Sequence, residues 1–269
     1  MLSILLVACG ESAQSALVVD EPAPGIVGTV TYERGDDVYI QEIGGEPEQL
    51  ERNASYPRFS PQGSRVAMVS GNDIVVFDGR TNQRHVVAHA RNPRAVAWHP
   101  QGNRLFYTDA DSVWIVDLKS RAKQRVVSGT VFLELDVAPD GRALVGTVHR
   151  LGFSILTVDL KTGQKRRLAG GCSASFSPDG RQVSRLDNSH TQLSLLAFNG
   201  KSPDHILKAP GKMKYDNHFW SNHPNWIVGE DESDQRDIIL IHAVSGEVKR
   251  VTTVGNASRG DVFIRSVDS

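Results

Sequence analysis

One short stretch of this chain returns at a fixed interval, and that constrains the fold more than any other feature. Phe59-Ser60-Pro61-Gln62-Gly63 recurs as Trp98-His99-Pro100-Gln101-Gly102, Val137-Ala138-Pro139-Asp140-Gly141 and Phe176-Ser177-Pro178-Asp179-Gly180. The prolines stand at 61, 100, 139 and 178, each 39 residues after the last. A fifth, altered copy is Trp220-Ser221-Asn222-His223-Pro224. A repeat of this length means one small unit used several times, each unit gaining its stability from its neighbours.

Every copy has the same internal order. An apolar stretch ends in an aromatic residue or Val. Pro-Asp/Gln-Gly then turns the chain: Pro presets φ, Asp bonds its own backbone and Gly accepts positive φ. A second run follows, such as Arg65-Val66-Ala67-Met68-Val69 or Arg104-Leu105-Phe106-Tyr107-Thr108, and a polar tip reverses it. A third run ends in Asp in three copies, as in Asp73-Ile74-Val75-Val76-Phe77-Asp78 and Ser112-Val113-Trp114-Ile115-Val116-Asp117. A basic turn leads to a fourth, more polar run, exemplified by Arg166-Arg167-Leu168-Ala169. Four short runs joined by hairpin turns make one antiparallel sheet, and no window carries a sustained helical period. Such sheets bury their faces by stacking radially about an axis. The pattern predicts an all-β, six-bladed propeller of four-stranded blades.

The Phe/Trp-Ser-Pro-Asp-Gly-Arg core, followed by an apolar strand, resembles the TolB-like, WD-related propeller repeat over about residues 26–267. That resemblance implies a cell-envelope scaffold that contacts other envelope proteins. TolB itself carries a separate α/β domain ahead of its propeller, and residues 1–25 leave no room for one. The repeat marks a fold more than a function, because unrelated proteins use the same blade.

The blades are expected at 26–51 plus 260–267, 55–90, 92–129, 131–169, 171–209 and 215–254. Ile26 to Leu50 supplies three runs without a first strand, and Gly260 to Arg265 supplies one run without followers. Joining the C-terminal strand to the N-terminal blade closes the ring and removes two exposed edges. Ahead of the propeller, residues 1–9 are apolar and end in Leu6-Val7-Ala8-Cys9, which resembles a bacterial lipobox. Cys9 is the expected lipidation site, and residues 10–25, small, polar and Pro-containing, are expected to be a flexible tether. The segment is too short to cross a bilayer, so attachment would be by lipid anchor only. An exported, periplasmic or cell-envelope location follows.

Thirty basic residues against 31 acidic ones argue against nucleic acid as a partner. Two cysteines, Cys9 and Cys172, make no disulfide framework. Inner strands line a propeller's channel, so their polar residues are the candidate ligand-binding set at the channel mouth: Arg58, Arg94, Glu134, Asp136, Asn217, His218 and Asp261. The stretch from Tyr215 to Trp226 concentrates His, Trp and Asn, and Asp216, His218 and His223 are candidate metal ligands there. The acidic run Glu230-Asp231-Glu232-Ser233-Asp234 reads as an exposed hairpin tip. There is no Gly-x-Ser-x-Gly elbow and no phosphate-binding glycine loop.

Three functions fit these features. The first is a monomeric, non-enzymatic module that binds an envelope protein, peptide or glycan and needs no cofactor. The second is an enzyme at the channel mouth, similar to propeller polysaccharide lyases, which would need His218, His223 and His242 to converge. The third is a structural paralogue without a ligand.

Overall fold

The structure is a computed structural model that describes residues 18–19, 25–199, 205–232 and 235–267. Every element among these residues is a strand. Six sheets of four antiparallel strands form the blades. Their innermost strands are Ala257–Val267, Ala54–Phe59, Val96–Trp98, Phe132–Val137, Cys172–Phe176 and Tyr215–Trp220, from the first blade to the sixth. Each touches the next around a full circle. The chain is a six-bladed β-propeller.

The reason for the circle is visible in the core. It is divided into six apolar clusters, and each lies between two adjacent blades. Met68 and Val75 of the second blade pack against Val38 of the first, while Ala67 and Val76, one residue along each strand, pack against Trp98 and Leu105 of the third. Alternate residues on a strand point to opposite faces, so both faces of every blade are apolar. Neither face is covered until a neighbour arrives on each side, which only a closed ring provides for all six.

Closure follows the expected route. The final strand, Ala257–Val267, pairs antiparallel with Ile26–Arg34, bringing Asp261 opposite Thr31 and Val262 opposite Val30. It begins three residues earlier than the expected 260. Val18–Val19, inside the expected tether, pair parallel with Val248–Arg250 at the outer edge of the sixth blade. Cys9 and residues 1–17 and 20–24 lie outside the described residues.

The turns explain the repeated glycine. Gly63 has φ +72°, and a Cβ there would run into the ring of Phe263 on the closing strand. Gly141 has φ +71°, and its Cβ would meet His99 of the preceding turn. At these two turns the left-handed backbone and the neighbouring ring together favour glycine.

One expectation is corrected here. The acidic run does not form an exposed tip throughout: Glu230 and Asp231 end the strand Trp226–Asp231 and are buried. Asp231 and Asp237 grip Arg250 at 3.1 and 3.3 Å, so the acids of this blade are tied into it.

Candidate functional site

The 39-residue step that spaces the prolines also stacks the channel into levels. Positions 58, 97, 136 and 175 fall at the same place in successive inner strands, and Phe219 and Asp261 complete the level. Arg58, Ala97, Asp136, Ser175, Phe219 and Asp261 floor a cup of about 310 Å³ at one end of the channel. Its wall is Pro61, Pro100, Pro139, Pro178, Asn222 and Phe263, with Trp98 and Trp220 behind.

The floor is a lattice of hydrogen bonds from blade to blade. Asp136 accepts from the Phe176 N–H at 2.8 Å and from the Ser175 hydroxyl at 2.8 Å. Ser175 Oγ accepts from the Trp220 N–H at 3.0 Å, and Asp261 accepts from the Phe59 N–H at 2.8 Å. A side chain on one inner strand thus serves the first free N–H of the next. Arg58 is buried, donates to the Pro57 carbonyl at 2.7 Å and lies 3.4 Å from the centre of the Phe219 ring. Burial lowers its pKa, opposed by the charges of Asp261 and Asp136. Burial pushes the Asp261 carboxyl up to about 6 against the pull of Arg58. Asp136 keeps some contact with the cup, yet the protein around it also raises its pKa, with the Ser175 hydrogen bond opposing.

A second level lies two residues earlier: Tyr56, Ala95, Glu134, Ser173, Asn217 and Arg259. Tyr56, Ser173, Asn217 and Arg259 all have positive φ, between 39° and 55°. Three of these turn their N–H groups out of the ladder and onto a buried carboxylate. Tyr56 donates to Glu33 at 2.6 Å, Ser173 to Glu134 at 2.8 Å and Arg259 to Glu230 at 3.3 Å. Asn217 Nδ2 donates to Glu230 at 2.9 Å, and Arg259 pairs with Glu33 at 3.0 Å. Burial raises the Glu230 pKa, the Asn217 hydrogen bond opposing. Sequence reasoning missed Glu33 and Glu230 because both belong to second strands. Each stands at the polar end of its run, Tyr32-Glu33-Arg34 and Gly229-Glu230-Asp231, where an acid reads as part of an exposed turn.

The predicted ligand-binding residues therefore divide. Arg58, Asp136 and Asp261 meet at the cup, and Glu134 and Asn217 belong to the second level. Arg94 precedes the third inner strand, where its N–H is held by the Thr108 hydroxyl at 2.7 Å. His218 does not face the channel. It is fully buried, neither ring nitrogen has a hydrogen-bond partner, and burial drives its pKa down to about 3. It is a neutral packing residue.

The predicted metal set of Asp216, His218 and His223 is corrected for the same reason. The inner strand bulges between Asp216 and Phe219, which drives the His218 ring into the packing layer. His223 sits in the rim turn, its Nδ1 accepting from the Asn225 N–H at 3.2 Å. Asp216 instead meets His190 and Glu232, a set that sequence spacing did not suggest. Nor does His242 join His218 and His223: it caps its own hairpin, 2.9 Å from the Ser245 hydroxyl. Cys172, which opens the inner strand of the fifth blade, keeps partial exposure. Burial lifts its thiol to about 12, and its Sγ lies 3.7 Å from His190 Nε2.

Comparison with known proteins places this architecture. No protein-family model and no curated protein matches the sequence. Solved structures do. TolB from Acinetobacter baumannii superposes with a TM-score of 0.72 at 19% identity, over 87% of this chain and 66% of that one. A putative TolB from Agrobacterium tumefaciens gives 0.69 at 12% identity, over 91% and 99%. A chain of a nidogen/laminin complex gives 0.73 at 10% identity, over 89% and 99%. The chain has a TolB-like six-bladed propeller fold and spans slightly less than two thirds of the Acinetobacter protein.

Proposed function

We propose that the protein is a non-enzymatic binding scaffold of the cell envelope, tethered through Cys9, that takes a segment of an envelope protein or a peptide in the proline-walled cup. The observation that carries this is the cup itself. Its wall is apolar and stiff, since prolines lose little freedom when a ligand orders them. Its floor is closed by Arg58 and offers the carboxylates of Asp136 and Asp261, a few fixed polar groups in an apolar hollow. Aromatic and proline residues around a small polar centre suit an extended peptide better than a bulky glycan. The structural likeness to TolB proteins and to a chain solved within a nidogen/laminin complex supports protein binding as the use of this fold. The lyase-like alternative called for two or three imidazoles converging on one cavity with a carboxylate; His218 is buried without a partner, and His223 and His242 each hold a backbone turn of their own, so the binding reading is the better supported.

A photo-crosslinking residue at Gln101, exposed on the rim turn, tests this in native envelope. The same residue placed at Leu151, in another exposed hairpin, is the control. A discrete protein adduct from position 101 and none from 151 is expected. The same smear from both, or no adduct at 101, would remove the cup as the binding face.

A further inference from the structure

We infer that the protein carries a divalent metal site of the zinc class on the seam between the fifth and sixth blades, formed by His190, Asp216 and Glu232. The three come from separate elements. His190 stands in the turn between the second and third strands of the fifth blade, Asp216 on the inner strand of the sixth, and Glu232 just after the next strand of that blade. Their donor atoms all lie within 4.8 Å of one another. His190 Nδ1 is 3.1 Å from Glu232 Oε2 and 3.9 Å from Asp216 Oδ1. Ligands about 2.0–2.1 Å from a tetrahedral ion sit roughly 3.3 Å apart, so these separations bracket a zinc coordination edge.

The backbone fixes this approach. His190 has φ +60°, a left-handed conformation uncommon outside glycine, and its turn is closed by its N–H on the Asp187 carbonyl. Its own carbonyl accepts from the Tyr215 N–H across the seam at 2.8 Å, next to Asp216. Glu232 N–H donates to the Lys214 carbonyl at 2.9 Å. Ladders on both sides of the seam therefore hold the ligands before any ion arrives.

The charges call for a cation. Two carboxylates face one ring nitrogen, and a single N–H can donate fully to only one of them. Buried Glu230, opposite Asp216 in the strand register, is met by Arg236 at 3.3 Å and leaves the pair of Asp216 and Glu232 as the charges that face His190. On the far side of the ring, Cys172 Sγ lies 3.7 Å from Nε2. A sulfur there accepts an Nε2–H and leaves the Nδ1 lone pair for the ion, as an outer partner does for a metal-bound histidine. The thiol faces the wrong nitrogen to be a ligand itself. One imidazole with two carboxylates suits zinc or manganese, whereas calcium prefers oxygen alone. All three side chains retain about a quarter of their exposure, so an ion can reach them and water can complete its shell. Bound there, it would clip the fifth blade to the sixth.

The test is calorimetric titration of zinc chloride into the chelator-treated full chain, with manganese and calcium chlorides in parallel and thermal melts at each zinc concentration. One zinc per chain is expected, weaker manganese binding, and a melting temperature that climbs with zinc. His190→Ala and Glu232→Gln should each weaken zinc binding by about tenfold or more and flatten that climb, since losing even a group that only supports a metal ligand costs about that much. Glu232→Gln preserves shape, so it reports on the ion even if His190→Ala unfolds. His223→Ala should bind like the parent. No zinc uptake, uptake undiminished in Glu232→Gln, or uptake lost in His223→Ala would each overturn the site.

Discussion

Asn222 holds both backbone polar groups of Ile264. Its Nδ2 donates to the Ile264 carbonyl at 2.8 Å, and its Oδ1 accepts from the Ile264 N–H at 2.7 Å. The four regular copies of the repeat carry proline at this place, and proline has no side-chain amide to offer. The altered fifth copy meets the closing strand from the sixth blade, and its asparagine extends that strand's pairing across the seam. Asn222→Ala leaves two backbone groups at the seam without partners, and a loss of about 2–4 kcal/mol is expected from urea unfolding. Asn222→Asp, which keeps the acceptor but not the donor, should fall between that variant and the parent. An unfolding midpoint for Asn222→Ala equal to the parent's would show the clip to be idle.

Gly63 guards the same closure from the other side. Its positive φ and the Phe263 ring each oppose a side chain. Gly63→Ala should cost about 1–3 kcal/mol, the usual scale of a residue forced into sparsely populated backbone space. Phe263→Ala removes the steric half of the conflict, so the double variant should lose less than the two single losses added. Strict additivity would mean that the ring has no part in the effect.

Trp98 is the largest side chain of the repeated motif. It is buried in the cluster between the second and third blades, and its Nε1 donates to the Arg58 carbonyl at 2.9 Å. Trp98→Ala removes the packing and leaves the carbonyl beneath the cup without that donor. A loss of about 3–5 kcal/mol is expected. A thermal melt matching the parent's would contradict its place in the core.

How much of this was legible in the sequence depends on what kind of relationship each residue enters. The 39-residue step is a property of the chain, so blades, turns and closure could be read from it. The same step placed Arg58 and Asp136 at one level. Ala97 and Ser175 share that level but stand outside the candidate set, because a small side chain in an inner strand carries no signal of its own. The second level was illegible because its geometry depends on bulges at Tyr56, Ser173, Asn217 and Arg259, none of them a glycine that would have announced positive φ. His218 illustrates the reverse error. Alternation along a regular strand puts it beside Asp216, whereas the bulge turns its ring into the core. The approach of His190 to Asp216 is a contact between blades, 26 positions apart in a repeat of 39, and no spacing rule encodes it.

The lipobox resemblance at Leu6-Val7-Ala8-Cys9 gives a prediction of its own. Cys9→Ser should move the protein from the membrane fraction to the soluble fraction when cells are fractionated. Sedimentation of the variant with membranes would mean that attachment does not depend on this cysteine.

The last prediction concerns pH. Asp261 has a folded pKa of about 6, above the roughly 3.9 of an unfolded aspartate. The folded chain therefore holds this proton more tightly than the unfolded one. Stability from that proton is fully present below about pH 4 and is lost as pH rises through 6. Two units correspond to about 3 kcal/mol at most. Asp136 and Glu230, raised in the same direction, add to the slope, while lowered carboxylates such as Asp187 oppose it. Asp261→Asn removes one titrating group and leaves the others, so the two unfolding profiles should diverge between pH 4 and 7. The parent's stability relative to the variant's should fall by about 2–3 kcal/mol across that interval, the asparagine keeping an oxygen for the Phe59 N–H. Parallel profiles would mean that Asp261 ionises in the folded protein as easily as in the unfolded chain, and that Arg58 balances the burial of its charge in full.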